Sequence, residues 1–505
     1  MSRRVTTLRT FFVILTCGAA PNVAATQVIA PRTVPVLIGQ QFDILPSDRA
    51  GMAGVTIALD DTLIDPFVNP AKASRVRSAF FSIAPFFYNS SSTDGGGRTF
   101  PVSGAGRFGQ SSWSGAGLFA LQQLDRMVIG FDQPLSERTA ANQYVMGILS
   151  RRVGDISLGA SAYFADLGAE EGIDLLYSGS DRIQQAGRAA DVRVGMTKDW
   201  GGHRSFEALI VRSQFDMTHD VHYPAVTRWL PPNGQQQIVE PERQEHNRDH
   251  TTTWGAHSEY SQAIGTEGWR VGWLATANRL SHPKIPDYRI REVITVPRDP
   301  GHTMAYNLGF GLAKLTRYSS FGMDVILEPI FSTTWAEALG DTLTTSGATL
   351  KRGAHSMDNR TRFSNAILRF GLGHELPIGK DSSEHFGFQV GFGVQSISYR
   401  LKQADRIAET SRTQNEHWME WSPTFGFKYR GKGFDAGYTF TLTCGAGGSC
   451  APSCFIVCGG DDVSVASPPA PGGGGGGVIA SPTEALRFEG GRVSTHRFTV
   501  TMKVR

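Results

Sequence analysis

The residues of this chain that are able to do chemistry fit no common catalytic or cofactor motif. Residues 104–109, GAGRFG, match G-x-G-x-x-G, but such a loop cradles phosphates only between a strand and a helix. Ser- and Gly-rich strand sequence follows here, and no H-E-x-x-H, P-loop or G-x-S-x-G motif is present. The sequence therefore predicts no enzyme, no catalytic residues, no cofactor and no metal site. A barrel hydrolase with Ser, His and acidic residues on neighbouring strands is an alternative that spacing does not reveal.

Four cysteines lie close together near the C-terminus, at Cys444, Cys450, Cys454 and Cys458. Their C-x5-C-x3-C-x3-C spacing lacks the C-x2-C element of common zinc sites, so metal binding is the weaker interpretation. An even number of cysteines in an exported chain indicates disulfides. We expect two disulfides within one external loop, and all three connectivities remain open.

The N-terminus is typical of a secretory signal peptide. Arg3, Arg4 and Arg9 precede an apolar stretch over residues 11–20, and small residues follow up to Ala25. The sequence predicts a signal peptide over residues 1–25. A lipoprotein signal centred on Cys17 is the alternative, although the preceding threonine is bulkier than the residues that lipidation prefers.

Composition excludes two broad classes of function. The chain has 505 residues, a hydrophobic fraction of 40% and a net charge of +3, with a mean hydropathy of −0.20. It contains no apolar run of about 18 residues, which excludes a helical membrane span. The slight charge and the lack of a basic stripe with interleaved aromatic residues argue against nucleic-acid binding.

The clearest structural pattern is the alternation in residues 385–400, HFGFQVGFGVQSISYR. Five apolar residues, Phe386, Phe388, Val390, Phe392 and Val394, are separated only by Gly or Gln. Successive side chains of a β-strand point to opposite faces. This segment is therefore predicted to be a strand with one apolar face and one small, polar face.

Segments of this kind follow one another along the rest of the chain, and most exceed the roughly 5–6 residues of an average strand. A tilted membrane strand needs roughly 9–11 residues, so their length favours the membrane. The predicted strands are 78–88, 112–121, 125–132, 143–152, 155–165, 188–198, 204–216, 250–262, 267–280, 302–316, 320–334, 360–374, 385–400, 416–430, 433–443 and 491–505.

Short turns alternate with long polar loops between these strands, the longest being the Cys- and Gly-rich loop 444–490. This asymmetry is typical of bacterial outer-membrane barrels. The predicted fold is an all-β, transmembrane antiparallel β-barrel of about sixteen strands over residues 77–505, preceded by a periplasmic arm or plug at 26–76. Fourteen strands is the alternative, since residues 112–132 carry the weakest pattern. A soluble, secreted all-β protein is a further alternative, but a Gly/Gln face makes a poor second core.

Charged residues must face the lumen because burying a charge against lipid is expensive. The outward set therefore includes Leu308, Phe310, Phe425, Phe427 and Phe498, and an aromatic girdle is expected at Trp254, Tyr260, Trp269, Trp273, Trp418 and Trp421. The predicted lumen residues are Arg193, Lys198, Glu207, Glu259, Asn307, Glu328, Asn365, Arg369, Gln389, Gln395, Glu420, Lys428 and Asp435. They either line a selective path or pair with one another and fill the lumen.

Residues 49–73, RAGMAGVTIALDDTLIDPFVNPAKA, resemble the N-terminal signature of FadL-like outer-membrane transport barrels. The matching positions are Gly51, Gly54, Ala58, Asp60, Asp61, Asn69, Pro70 and Ala71. Lys72 stands where the family usually has glycine. The resemblance implies an N-terminal hatch inside a barrel that passes hydrophobic molecules. For Asn69 and Pro70, a turn that positions the plug is the alternative to direct substrate contact.

The resulting expectation is a porin-like protein of the bacterial cell outer membrane that passes small, hydrophobic molecules passively. Its expected partners are outer-membrane lipid and a hydrophobic small molecule. Related barrels serve instead in secretion or surface attachment. The alternative function is thus a non-transporting scaffold that binds an extracellular or periplasmic protein partner through its long loops.

Overall fold

The computed structural model describes residues 41–504, except for 91–95, 126–138, 171–179, 202–203, 231–234, 282–284, 288, 291–292, 295–300, 339, 379–383 and 449–487. The predicted signal peptide and the first part of the predicted arm, residues 26–40, lie outside the described residues.

The described chain is almost entirely β-strand. The strands are β1 Phe80–Ile83, β2 Phe86–Ser90, β3 Gly96–Arg107, β4 Trp113–Asp125, β5 Thr139–Val153, β6 Ile156–Leu167, β7 Arg182–Trp200, β8 Arg204–Tyr223, β9 Val226–Leu230, β10 Gln235–Glu240, β11 Arg243–Ile264, β12 Trp269–Ser281, β13 Ile285–Asp287, β14 Arg289–Ile290, β15 Val293–Ile294, β16 Gly301–Leu315, β17 Ser319–Glu337, β18 Thr342–Leu343, β19 Thr349–Leu350, β20 His355–Ile378, β21 Glu384–Asp405, β22 Thr410–Arg430, β23 Phe434–Gly448 and β24 Phe488–Lys503.

The long strands close into one antiparallel barrel of sixteen positions. β1 and β2 share the first position, and both pair with β3 on one side and with β24 on the other. The remaining positions follow chain order through β3–β8, β11, β12, β16, β17 and β20–β24. Closure leaves no free edge in the described barrel sheet, which is what a barrel in lipid requires. The predicted fold class and the strand number are confirmed.

One strand was missed and one was wrongly divided. β3 was not among the predicted strands, whereas the structure pairs Gly104 with Gly117 of β4, so the G-x-G-x-x-G residues begin inside a strand. β4 is continuous through Asp125, where two strands had been predicted, and residues 126–138 lie outside the described part. The gap between β1 and β2 falls at Ala84 and Pro85, opposite Pro101 of β3, whose carbonyl accepts from the Ala84 amide at 3.1 Å.

Several strands extend well beyond their predicted ends. β8 and β11 remain paired as far as Tyr223 and Arg243, and the hairpin β9–β10 continues above them. β21 and β22 pair up to Asp405 and Thr410, so most of the stretch between the predicted strands 385–400 and 416–430 is itself strand. These strand ends carry polar residues on both faces and therefore lack the apolar–polar alternation. Strand ends that lie beyond the membrane need no apolar outer face.

The outer face of the barrel is apolar around its middle. Phe388, Val390 and Phe392 are each 41% exposed, although exposed positions of a soluble protein are usually polar. Their neighbours Gln389 and Gln395 are buried on the inner face. Leu308, Phe425 and Phe498 are likewise exposed, as predicted. Within the described residues, no helix is long and apolar enough to cross a membrane.

Residues 41–76, called here the inner segment, lie inside the barrel. The segment contains two 3-10 helices, Ala50–Met52 and Pro70–Arg75, and one turn of α-helix, α1 Asp65–Val68. Its backbone or side chains approach glycines of β6, β7, β12, β20 and β21, and such contacts on opposite walls place it within the lumen. Those glycines lie near the short connections, so the segment occupies that end of the barrel.

Candidate functional site

The inner segment is folded around the carboxylate of Asp61, which is 1% exposed. This carboxylate accepts from the Ser47 hydroxyl at 2.7 Å and from the amides of Asp48 and Arg49. Ala53 and Gly54 adopt positive φ angles of 53° and 65°, the left-handed conformation that glycine adopts at little cost. The predicted motif residues Asp61 and Gly54 thus shape the segment itself.

The inner segment contacts the wall where the strands carry glycine. A Cβ on Gly391 would lie 2.2 Å from the Ala53 nitrogen, and one on Gly195 would lie 2.0 Å from Asn69 Oδ1. Gly51 of the segment shows the same closeness from the other side, since its Cβ would lie 2.6 Å from Gln389 Oε1. The small inner faces of the strands therefore allow backbone-to-backbone packing in the lumen.

The Asn-Pro-Ala motif connects the segment to the wall. Asn69 Oδ1 accepts from the Ala71 amide at 3.1 Å and so caps the second 3-10 helix, which starts at Pro70. Asn69 Nδ2 donates to Glu207 Oε2 on β8 at 3.0 Å. This arrangement corresponds to the positioning turn, the alternative to direct substrate contact.

Lys72 is the centre of a buried charge cluster. Its Nζ lies 3.0 Å from Glu207 and 3.4 Å from Asp65, and only 8% of the residue is exposed. Burial lowers the pKa of Lys72, but the carboxylates of Asp65, Glu207 and Glu259 raise it by a larger amount. The net change in the pKa is therefore an increase. Burial, together with Asp60, Asp61 and Glu207, raises the pKa of Asp65 to about 7 despite the opposing charge of Lys72. We call Asp65, Asn69, Lys72, Glu207 and Glu259 the Lys72 cluster.

His257 extends this cluster and was not predicted. One ligand atom from each of Glu207, His257 and Glu259 lies within 4.8 Å of the others, a set that suits a transition metal. The ammonium of Lys72 already lies against Glu207, however, and supplies the positive charge that the carboxylates need. We therefore interpret the Lys72 cluster as an ion-pair network that joins the inner segment to the wall. The sequence did contain a signal for His257. It lies two residues before Glu259 on the same strand, and alternation places both side chains on the inner face.

Further contacts join the segment to the opposite wall. Asp324 of β17 accepts from the amides of Thr56 at 2.8 Å and Ile57 at 3.3 Å. Arg369 of β20 donates to the Gly54 carbonyl at 3.2 Å. Arg369 was among the predicted lumen residues, whereas Asp324 was missed although alternation places it on the inner face of β17.

The start of the segment is bound by the last strands. Lys428 Nζ lies 3.0 Å from Asp48 Oδ1, and Gln389 Nε2 donates to the Asp48 carbonyl at 3.0 Å. Burial raises the pKa of Asp48, but Lys428 and Arg430 outweigh it and bring the pKa to about 2. Arg497 of β24, not predicted, donates to the Leu45 carbonyl at 2.7 Å.

The last contacts lie near the short connections. Arg193 donates to the carbonyl of Phe67 at 3.3 Å. Asp60 pairs with Arg270 of β12 at 2.8 Å; burial raises its pKa, but this arginine and other cations outweigh burial and bring the pKa to about 2. Asp435 pairs with Lys503 at 2.9 Å at the rim.

Lys198 was predicted to face the lumen, and the structure places it elsewhere. It shares a strand face with the exposed Val194 and lies over the Trp200 ring at 5.3 Å, so it does not line the lumen.

Further from the segment, five predicted lumen residues form a polar belt on adjacent strands, where Asn307 Nδ2 donates to Glu328 Oε1 at 3.1 Å. Glu328 lies opposite Asn365, and Gln395 lies opposite Glu420. The last four are at most 4% exposed. The members of this belt are Asn307, Glu328, Asn365, Gln395 and Glu420.

Beyond the polar belt, towards the long loops, the inner wall becomes apolar. Phe363, Tyr399 and Trp418 pack through their rings at centroid distances of 5.5 and 5.4 Å. Trp418 was predicted for the outer girdle but shares a face with buried Glu420, so that prediction is wrong. Trp254 and Trp273 do lie on the outer face. The upper apolar cluster comprises Ala305, Ile330, Phe363, Ile397, Tyr399, Leu401 and Trp418.

A cavity of about 530 Å³ separates the segment from the wall at the end with the short connections. It reaches from Asp65 and Arg75 of the segment to Lys428, Asp435 and Lys503 of the last strands. Most of its lining residues are of charged or polar types, in contrast to the residues of the upper apolar cluster.

Cys444 is the one predicted loop cysteine among the described residues. It lies on β23 opposite Trp421 and is 2% exposed, so the strand continues past the predicted start of the loop. Its predicted disulfide partners Cys450, Cys454 and Cys458 lie outside the described residues, and the disulfides stay a prediction.

No family model and no curated protein matches the chain. Solved structures to which it is similar include the toluene transporter TodX of Pseudomonas putida, with a TM-score of 0.37 and 10% identity over 94% of this chain and 99% of that one. The toluene transporter TbuX of Ralstonia pickettii gives 0.38 and 10% over 92% and 100%. A bacterial polysaccharide outer membrane secretin gives 0.37 and 9% over 85% and 99%. Scores this low leave the functional assignment to the geometry of this chain.

Proposed function

We propose that this protein is an outer-membrane barrel that passes small, hydrophobic molecules passively, with the inner segment acting as its plug. The upper apolar cluster carries the proposal. A lumen that only held water would be polar throughout, whereas in this one seven apolar side chains, each at most 7% exposed, pack together on the inner faces of adjacent strands beyond the polar belt. Such a wall favours an apolar solute over its hydrated competitors.

The plug role rests on the kind of contacts that hold the inner segment. Among the described contacts these combine hydrogen bonds and ion pairs to the wall, such as Lys72 to Glu207 and the Thr56 amide to Asp324, with apolar packing of Phe67 against the inner faces of the strands. Individual polar contacts of this kind contribute about 1 kcal/mol each. The inner segment contributes no strand to the described barrel sheet, so its release leaves the strand pairs of the barrel intact.

Uptake by whole cells tests the proposal, because the outer membrane there limits the entry of apolar solutes. Cells producing the protein should take up a small aromatic hydrocarbon faster than cells without it. Deletion of residues 41–76 should increase this uptake and also admit a polar sugar of similar size. Equal uptake with and without the intact protein would refute the proposed transport.

A second experiment tests the apolar wall itself. Ile330→Gln and Leu401→Gln place amides in the upper apolar cluster and should lower hydrocarbon uptake several-fold. The matched controls Leu327→Gln and Val394→Gln lie on the outer face of the same strands and should lower uptake much less, provided that the variants reach the membrane folded. Equal effects of both pairs would remove the upper cluster from the path.

A scaffold function is the second candidate, and the strand extensions favour it. β8 and β11 contain 20 and 22 residues, roughly twice the 9–11 that a membrane strand needs. Their paired ends and the separate two-stranded hairpin β9–β10 extend beyond the membrane. Removal of residues 226–240 should release a copurifying partner if this function is correct, and should leave hydrocarbon uptake unchanged if transport is.

A further inference from the structure

A block of four basic side chains lies on the outer face of the barrel above the apolar band. Arg362 of β20 lies directly opposite Arg400 of β21, and Arg360 lies directly opposite Lys402. All four residues are exposed. We call these residues the basic block.

The outward residues of the same two strands show where the block lies relative to the membrane. Towards the long loops, the opposed pairs change from Phe370 and Phe392, through Ala366 and Ser396, to Arg362 and Arg400. The apolar part of this face corresponds to the hydrocarbon layer. The basic block therefore lies at the level of the lipid headgroups on the side of the long loops.

Neighbouring aromatic residues mark the same level. Phe331 of β17 is directly opposite Arg362, is 41% exposed and lies under the guanidinium at 5.3 Å. Tyr306 of β16 contacts Phe331 with a centroid distance of 6.4 Å. Exposed aromatic rings of this kind concentrate where hydrocarbon meets headgroups.

The charges of the block are not neutralised within the described part of the protein. None of its four members forms an ion pair with a described residue, and Asp358, the next acid along β20, is bound by Arg406 at 2.8 Å. Like charges directly opposite one another in a sheet repel and are destabilising. An anion that bridges two such pairs in succession would offset this repulsion.

We propose that the basic block binds the phosphate groups of an anionic lipid of the outer leaflet. Arg guanidinium groups bind phosphate through two parallel hydrogen bonds, and basic residues beside a membrane attract anionic lipids. A lipid carrying two phosphates on one headgroup matches two basic pairs in neighbouring rows. Its acyl chains would then lie along the apolar face below, against Leu368 and Val394.

Titration of the full-length, detergent-solubilised protein with diphosphorylated lipid A tests this proposal by native mass spectrometry. Arg362→Gln with Arg400→Gln should weaken lipid A binding at least tenfold. Arg362→Lys with Arg400→Lys keeps the charge but loses the planar fork, and should weaken it less. The matched control is Arg212→Gln with Arg279→Gln, which removes two exposed arginines that flank Trp254 on the outer face and should change binding less than twofold.

Stability supplies a second readout that a purely structural role would not produce. Without lipid, the Arg362→Gln, Arg400→Gln variant should keep its unboiled gel mobility to at least the same temperature as the wild type, because repulsion is removed. With lipid A, the wild type should gain more than the variant. Equal loss of binding in the test and control variants would overturn the proposal. Equal protection by inorganic phosphate would also overturn it, by indicating a free-anion site, whereas phosphatidylcholine vesicles should protect neither protein.

Discussion

At the scale of single residues, the buried ammonium of Lys72 joins the inner segment to the wall. Lys72→Met leaves Glu207 and Asp65 buried without their cation, which typically costs about 3–5 kcal/mol. The segment should therefore leave the wall at lower urea concentration, measured as trypsin cleavage after Arg75. The control Lys351→Met breaks a surface pair with Asp341, where the lysine side chain is 74% exposed, and should cost less than about 1 kcal/mol. Similar shifts in both variants would mean that the Lys72 cluster does not hold the segment.

Asp65 adds a pH dependence to the same contact. Burial and the neighbouring carboxylates raise its pKa from 3.8 to about 7, so the docked segment binds a proton that the released segment has lost. This contribution is fully present below pH 3.8 and is lost as the pH rises through 7. We expect the segment to be released more readily at pH 8 than at pH 6, by at most about 1.4 kcal/mol per pH unit.

The variant Asp65→Asn isolates this effect, since its amide does not titrate. The ratio of trypsin cleavage rates of wild type and variant, taken at each pH, cancels the pH profile of the protease. A ratio that stays constant from pH 6 to pH 8 would contradict the assignment. Below pH 3.8 the trend reverses, because Asp48 and Asp60, with pKa values of about 2, lose their ion pairs on protonation.

Residue types predicted only part of this site. Asn69 was found because its motif has a recognisable spacing, and Glu207 because a charge on an alternating strand must face the lumen. Asp324 and Arg497 obey the same rule but were missed, since their partners are backbone groups of residues 268 and 452 positions away in the chain. Contacts that depend on the path of the segment inside the barrel are not encoded in local spacing.

At the scale of elements, the alternation in β21 was sufficient to assign both faces correctly, because five large apolar residues mark one of them. β3 lacked such a marker. Its outer face carries Phe100 as the only large, exposed apolar residue, beside Arg98, Val102 and three glycines, and Pro101 interrupts the run. Small residues left β3 without a recognisable pattern. Small residues on the inner faces of other strands are also what allows the inner segment to pack against them.

Close packing of the segment on strand glycines is open to direct test. Gly391→Leu would place its Cβ 2.2 Å from the Ala53 nitrogen, a backbone atom that cannot rotate away, so overpacking of at least about 1–3 kcal/mol is expected. Hydrogen exchange of residues 50–57 should become faster. The control Gly147→Leu lies on the outer face of β5 with nothing within 4 Å of its Cβ, and should leave the exchange of residues 50–57 unchanged. Unaltered exchange in the Gly391→Leu variant would indicate that the segment does not pack there.

At the scale of the whole molecule, two kinds of bonding coexist in one chain. The barrel is held by continuous backbone hydrogen bonds that close on themselves through β1, β2 and β24, and breaking them in an apolar surrounding exposes unsatisfied backbone groups at several kcal/mol each. The inner segment is held by hydrogen bonds and ion pairs to wall side chains and by apolar packing, all of which urea weakens.

We therefore expect two separate transitions as urea is raised. Trypsin should cleave after Arg49 and Arg75 at a urea concentration at which the unboiled protein still migrates as a folded barrel on a gel. Arg497 tests the link between the two parts, because it lies on the closing strand β24 and binds the Leu45 carbonyl. Arg497→Gln should lower the first transition and leave the second close to its wild-type position. Simultaneous loss of protease resistance and of folded mobility would show that segment and barrel unfold as one cooperative unit, and an inner segment so coupled to the wall would make a poor plug for a transport path.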